Sequence, residues 1–180
     1  YMKKAPNEDD FHKECLRLIS EIHFFDVLRS DRSISSEWSL EARTPFLDKE
    51  FVRTYLSIPC IYRMQNHRNI EKGLLRSEFE KDNLLPDDVL WRTKEAFSDG
   101  VSGSTNSWHN VIKHHIDTQV SDVEYTTVSA SILHNKPLMK ESYYYRKIFE
   151  NNYPNQSSVI PHFWMPRWTD VIDPSARELK

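Results

Sequence analysis

Residues 8–29 read EDDFHKECLRLISEIHFFDVLR, and their spacing decides the fold class. Phe11, Cys15, Leu18, Ile19, Ile22, Phe25 and Leu28 recur three and four positions apart, the period of one helix face. Asp9 and Asp10 stand at the start, where carboxylates meet the positive end of a helix. The stretch predicts a long amphipathic helix. Its end changes character, with Asp26, Arg29, Asp31 and Arg32 crowded into seven residues.

The same period returns downstream. Asp48 caps a short helix with Phe51, Val52, Tyr55 and Leu56 on its apolar face, and Pro59 stops it. Residues 69–81 repeat the pattern with Ile70, Leu74, Leu75 and Phe79, weakened locally by Gly73. Pro86, followed by Asp87 and Asp88, starts a short helix that leads into Trp91. Ser104, Thr105 or Asn106 can cap a helix carrying Trp108, Val111, Ile112, Ile116 and Val120. Residues 122–133 and 139–152 read as two more, the second carrying Tyr144, Tyr145, Ile148 and Phe149. From 153 the chain is rich in proline and aromatics and reads as an irregular arm packed on a surface. Two stretches fit neither a helix nor a strand period: SISSEWSLEARTPFLD (33–48) and WRTKEAFSDG (91–100). No strand, repeat or low-complexity linker is read. The expected fold is mainly α.

Composition narrows the function. The chain has 180 residues, 38% hydrophobic and 28% charged, which suits a soluble globular domain. A net charge of -3 with scattered basic residues gives no reason to expect nucleic acid. No apolar run approaches the roughly 20 residues that cross a bilayer, and the polar start, YMKKAPNEDDFHKE, has no signal core. Two cysteines, Cys15 and Cys60, make no disulfide framework and no metal spacing; Cys15, on the apolar helix face, reads as a buried free thiol. The chain reads as cytosolic, and the sequon at Asn155 carries no weight there. The eight histidines, including the adjacent His114 and His115, give no zinc pattern, so no metal site is assigned to this chain. Three glycines stand where an average chain of this length carries roughly twelve, and phosphate-cradling loops need them clustered. A nucleotide would be met here by side chains, with its cradle supplied from elsewhere.

Two groups could carry chemistry. Lys94 and Glu95 lie side by side between Trp91 and Phe97, ahead of Ser98, Asp99 and Gly100. A lysine is a compact charge suited to phosphate oxygens, and a neighbouring carboxylate can orient it or handle a proton. By spacing alone the plainer reading is an exposed ion pair; the flanking aromatics argue for a loop anchored at both ends. The second group is Arg29, Arg32 and Arg43 with Asp31 and Glu41. Arginine's fork suits carboxylate or phosphate, and internal salt bridging at a helix end fits as well. The three tyrosines at 143–145 read as helix packing.

Six stretches, taken in order, resemble the glutamine-hydrolysing asparagine synthetases, most closely the animal type. They are DVLRSDR (26–32), LEARTPFLDKEF (40–51), LLPDDVLWRTKEAFSDGVS (84–102), KESYYYRKIFENNYP (140–154), HFWMPRW (162–168) and DPSAR (173–177). The resemblance implies that residues 1–180 are one partial domain. It would be the helical C-terminal portion of an α/β synthetase domain of the ATP-pyrophosphatase type, similar to adenine nucleotide alpha-hydrolases. In that family ATP, with Mg2+, adenylates the side-chain carboxylate of aspartate, and ammonia from glutamine converts the β-aspartyl-AMP to asparagine.

The glutaminase segment, the SGG-type pyrophosphate loop and an acidic stretch lie upstream in the family, so those segments are the expected partners, and a homodimer is expected of the full-length enzyme. Lys94 then faces the phosphates, with Glu95 beside it and the Ser98, Asp99 and Gly100 turn behind. Arg29 and Arg43 match family arginines near the synthetase site, with Asp31, Arg32 and Glu41 beside them. A position 1 that is not methionine favours a piece of something longer. The alternatives are a non-catalytic helical remnant or interaction module, and a relative that makes another amide or lactam.

Overall fold

Asn7 sets where the first helix begins. Its side chain accepts the Asp10 amide at 2.9 Å, satisfying one of the donors that a helix start leaves unpaired. The structure, a computed structural model, describes residues 1–24, 31–64, 70–93 and 107–172; for residues 31–33 only the backbone is described. The chain divides into two compact units, residues 1–94 and 95–180.

In the first unit, α1 (Glu8–Ile22) buries Phe11, Glu14 and Cys15. His23 and Phe24 continue it in a wider, π-type winding, whereas Phe25, Leu28 and the rest of the expected helix to 29 lie outside the described residues. The backbone of Asp31–Ser36 has the same wide winding. Residues 36–46 are all exposed and mostly irregular, as the missing period implied.

A single turn, Pro45–Leu47, leads to α2 (Lys49–Ser57). Asp48 caps α2 as expected: one carboxylate oxygen accepts the amides of Glu50 at 2.9 Å and Phe51 at 3.1 Å. Asp48→Ala removes both bonds and leaves two amide donors to water. The expected cost is about 1 kcal/mol, read as a lower urea midpoint at unchanged slope. Pro59 ends α2 and also opens a one-turn helix, α3 (Cys60–Arg63), which packs against α1.

The next helix, α4, runs Gly73–Lys81 and begins later than 69–81 suggested. Lys72 before it is left-handed at φ 59, so the chain turns into the helix there. Gly73 is therefore buried at the first helical position and is not an interior weakness. The short α5 (Asp87–Leu90) starts after Pro86 as expected and packs on α4, with Leu90 buried.

In the second unit, Ser107 caps α6 (Trp108–Gln119) by accepting the Asn110 amide at 3.3 Å. The cap lies one position beyond Ser104, Thr105 and Asn106, which are outside the described residues. Ser121 caps α7 (Asp122–Ser131), and α8 (Lys140–Asn152) packs on both α6 and α7. Ile116, Val120 and Tyr143 form the buried centre.

Polar bonds fix the register of these three helices. The Tyr143 hydroxyl donates to Glu124 at 3.1 Å, Lys147 meets the same carboxylate at 2.8 Å, and Lys140 bridges Asp117 and Asp122. Hydrogen bonds from Lys147 and Tyr143 hold the Glu124 carboxyl below its ordinary range. The three tyrosines pack as expected at 143 and 144: Tyr143 lies edge-on to Tyr125, and Tyr144 lies edge-on to His115. Residues 153–172 are irregular apart from the turn Ser157–Val159, and His134 and Asn135 hold the Ile160 carbonyl at 2.8 Å. Among the described residues there is no strand.

Candidate functional site

Leu90 and Trp91 are the described root of the WRTKEAFSDG stretch. The Trp91 amide closes α5 by donating to the Asp87 carbonyl at 2.9 Å, and its ring is half-buried. Arg76 on α4 reaches across to this root. Its Nε donates to the Glu71 carbonyl at 2.9 Å, and its Nη1 donates to the Leu90 carbonyl. One guanidinium thus ties the start of α4 to the end of α5, at the point where the chain leaves for Lys94. Lys94, Glu95, Phe97, Ser98, Asp99 and Gly100 lie outside the described residues.

The second group divides. Arg43 and Glu41 pair with each other at 3.0 Å, with side chains 81% and 74% exposed. An ion pair that open to water contributes between nothing and about 1 kcal/mol. Arg43 also lines an open surface depression with Thr44, Pro45, Leu47 and Asp48, so its guanidinium is accessible to an anion. Asp31 and Arg32 are described by backbone alone, and Arg29 is outside the described residues. The structure therefore brings together Glu41 and Arg43 from this group.

Two buried charged clusters in the first unit escaped the sequence reading. Glu14 is fully buried on α1, where Arg17 grips it with Nε at 2.8 Å and Nη2 at 2.6 Å, and Tyr1 donates to it at 3.1 Å. Burial, reinforced by Glu14, holds the Tyr1 phenol protonated far above its usual range. Hydrogen bonding to Glu14 likewise raises Arg17. The signal was present: Glu14 falls three residues after Phe11, on the apolar stripe. The other cluster surrounds Arg63, which donates to the Ile58 carbonyl at 2.8 Å, to His12 Nδ1 at 3.0 Å and to Cys60 Sγ at 2.8 Å. Its guanidinium stacks over the rings of Phe11 and Tyr55 at 5.9 and 5.2 Å. Burial pushes the Cys15 thiol up, while Arg63 and a hydrogen bond with Tyr55 pull the other way.

Among the described residues no three His, Cys, Asp or Glu side chains are grouped to hold a metal ion. No described helix is long and apolar enough to cross a membrane.

Comparison with known proteins matches residues 2–172 to the asparagine synthase family. The glutamine-hydrolysing asparagine synthetase of Gallus gallus is 48% identical over 180 residues, covering 100% of this chain and 32% of the relative. The Bos taurus enzyme of the same name is 47% identical over 179 residues, 99% of this chain and 32% of the relative. The Homo sapiens one is 44% identical over the same span. This chain thus spans about a third, 32%, of the length of the curated relatives it matches.

Proposed function

Because the chain belongs to the asparagine synthase family, we propose that it works as the C-terminal part of a glutamine-hydrolysing asparagine synthetase. The observation that carries this is similarity along the whole chain: 48% identity over all 180 residues to an enzyme of that name. In this reading residues 1–180 are the helical portion of one ATP-pyrophosphatase-type α/β synthetase domain. ATP adenylates the side-chain carboxylate of aspartate, and glutamine-derived ammonia displaces AMP to give asparagine. The upstream glutaminase and ATP-binding segments are its partners, the full-length enzyme is a homodimer, and the site of action is the cytosol.

Lys94 is placed against the phosphates. Adenylation puts negative charge on a five-coordinate phosphorus and on the departing pyrophosphate, and a fixed cation stabilises both without reorganising. Glu95 orients that lysine, and Ser98, Asp99 and Gly100 turn the loop behind it. Arg76 fixes the Leu90 carbonyl, four residues before Lys94 in sequence. Arg43, open to solvent, is placed to meet an anionic group, with Glu41 holding it and with Arg29, Asp31 and Arg32 nearby in sequence. Mg2+ supplies charge neutralisation on the phosphates when bound.

The exposed apolar side chains support a chain that belongs in a larger domain. Trp38, Leu40 and Phe46, close together in sequence, are 60–70% exposed, and neighbouring apolar side chains of that size are the kind another surface covers. The test is a chimera: this chain replaces the corresponding third of the Gallus gallus relative. Glutamine- and ATP-dependent asparagine formation is expected from the chimera and none from the 180 residues alone. A chimera that folds and hydrolyses glutamine but forms no asparagine would favour the non-catalytic module.

A further inference from the structure

Arg63 is a cation that the fold buries, 8% exposed, with no carboxylate beside it among the described residues. Its bonds go to neutral groups. Nε donates to the Ile58 carbonyl at 2.8 Å, and Nη2 donates to His12 Nδ1 at 3.0 Å and to Cys60 Sγ at 2.8 Å. Nη1 is buried as well, and among the described residues it finds no acceptor. The faces of the guanidinium are taken by the rings of Phe11 and Tyr55. Burying a charge without an opposite partner is costly, so this pocket favours an anion at one of the positions that already touch the cation. A backbone carbonyl and an imidazole cannot carry a negative charge at neutral pH, whereas a cysteine sulfur becomes anionic on oxidation. Cys60 is only half-buried, so a small oxidant reaches it, while Cys15 on α1 is buried.

We propose that Cys60 is an oxidation site: a peroxide converts its thiol to a sulfinic acid, and the sulfinate becomes the counter-ion that Arg63 lacks. Cys60 sulfur first attacks one oxygen of hydrogen peroxide. The O–O bond breaks, the second oxygen leaves as water with the thiol proton, and Cys60 becomes a sulfenic acid. The sulfenic sulfur then attacks a second peroxide. Its O–O bond breaks, a second water leaves, and the resulting sulfinic acid releases its proton to solvent. Each step takes two electrons from sulfur, and each peroxide receives two. Arg63 Nη2, already on the sulfur, stabilises the negative charge that develops there. A sulfinate presents two oxygens as a carboxylate does, and a guanidinium fork meets such a group through two nitrogens. Nη1 then gains the acceptor it lacks in the reduced chain. This site stands independently of the synthetase reading.

The test treats the reduced, full 180-residue chain with excess hydrogen peroxide, blocks free thiols and maps the peptides by mass. The expected product is about 32 Da heavier at Cys60, with Cys15 still a thiol, and dimedone added early captures the sulfenic acid. The oxidised chain should show a higher urea midpoint than the reduced one, at unchanged slope. Arg63→Met should slow oxidation of Cys60 by about tenfold or more, because the donor at the reacting sulfur is gone. A second set of variants tests the counter-charge without peroxide. Cys60→Asp should have a higher urea midpoint than Cys60→Asn, and that difference should vanish when Arg63→Met is added to both. Cys60 left reduced or halted at sulfenic acid, a disulfide to Cys15, or Cys15 oxidised as fast as Cys60 would each overturn the site. So would a lower midpoint after oxidation, an unchanged rate in Arg63→Met, or Cys60→Asp no more stable than Cys60→Asn.

Discussion

Lys94→Ala in the chimera is expected to lower aspartate-dependent pyrophosphate release by about 100- to 1000-fold, the usual effect of deleting one preorganised donor at a developing anion. Glutamine hydrolysis should stay within about twofold of the parent, because the loss is confined to charge developing at phosphorus. The two readouts separate chemistry from folding: a misfolded chimera loses both activities, and a missing cation loses one. Lys94→Arg should restore little. A guanidinium carries the same charge on a wider, forked head and needs room that a compact ammonium does not. Pyrophosphate release by Lys94→Ala at the parent rate would remove Lys94 from the site and leave it as an exposed loop charge. The root of that loop gives a companion readout. Arg76→Ala frees the Leu90 carbonyl and should weaken pyrophosphate release less than Lys94→Ala, since it removes a support and not the charge itself.

The helices were legible because their apolar residues repeat with one period and their starts carry capping side chains. Asp48 and the proline at 86 marked helix starts correctly, and Phe11 and Cys15 marked the buried face of α1. What escaped reading needs three dimensions. The spacing predicts Pro59 as a stop; an N-cap residue needs no amide donor either, so the same proline also opens α3, which the sequence pattern does not announce. Gly73 counted as an interior weakness because nothing in the sequence announces that Lys72 turns left-handed and delays α4. Ser104, Thr105, Asn106 and Ser107 can all accept an amide, so the sequence alone does not single out Ser107, which caps α6.

Of the candidate site, the structure describes only part of one group. Glu41 and Arg43 do meet, but on an exposed surface where the pair adds little stability. Arg63 and Arg76, which tie neighbouring segments of the first unit, are not announced by the sequence because each bonds backbone carbonyls that no side-chain motif encodes. Lys94 and its neighbours lie outside the described residues and rest on family resemblance alone.

Arg17→Met is expected to destabilise the chain by about 3 kcal/mol, a large part of the 5–15 kcal/mol that holds a typical domain folded. The reason lies in Glu14. Its side chain has no exposure to water, and two of its bonds come from the Arg17 guanidinium, which is itself only 15% exposed. Methionine keeps the aliphatic stem and deletes the charge, so Glu14 keeps a full desolvation cost and loses both short bonds. Tyr1 offers one neutral donor at 3.1 Å, too little to replace a bidentate cation. Replacing both partners should behave differently: Glu14→Leu with Arg17→Met removes the buried charge together with its counterion. That double variant is expected within about 1 kcal/mol of the parent, since apolar side chains of similar size often match a buried ion pair. Urea melts of the four proteins close the cycle, and the coupling energy reports the pair free of each residue's other contacts. A single-variant loss below about 1 kcal/mol, or a double variant as unstable as the two singles summed, would mean that water reaches Glu14 and that α1 does not depend on this pair.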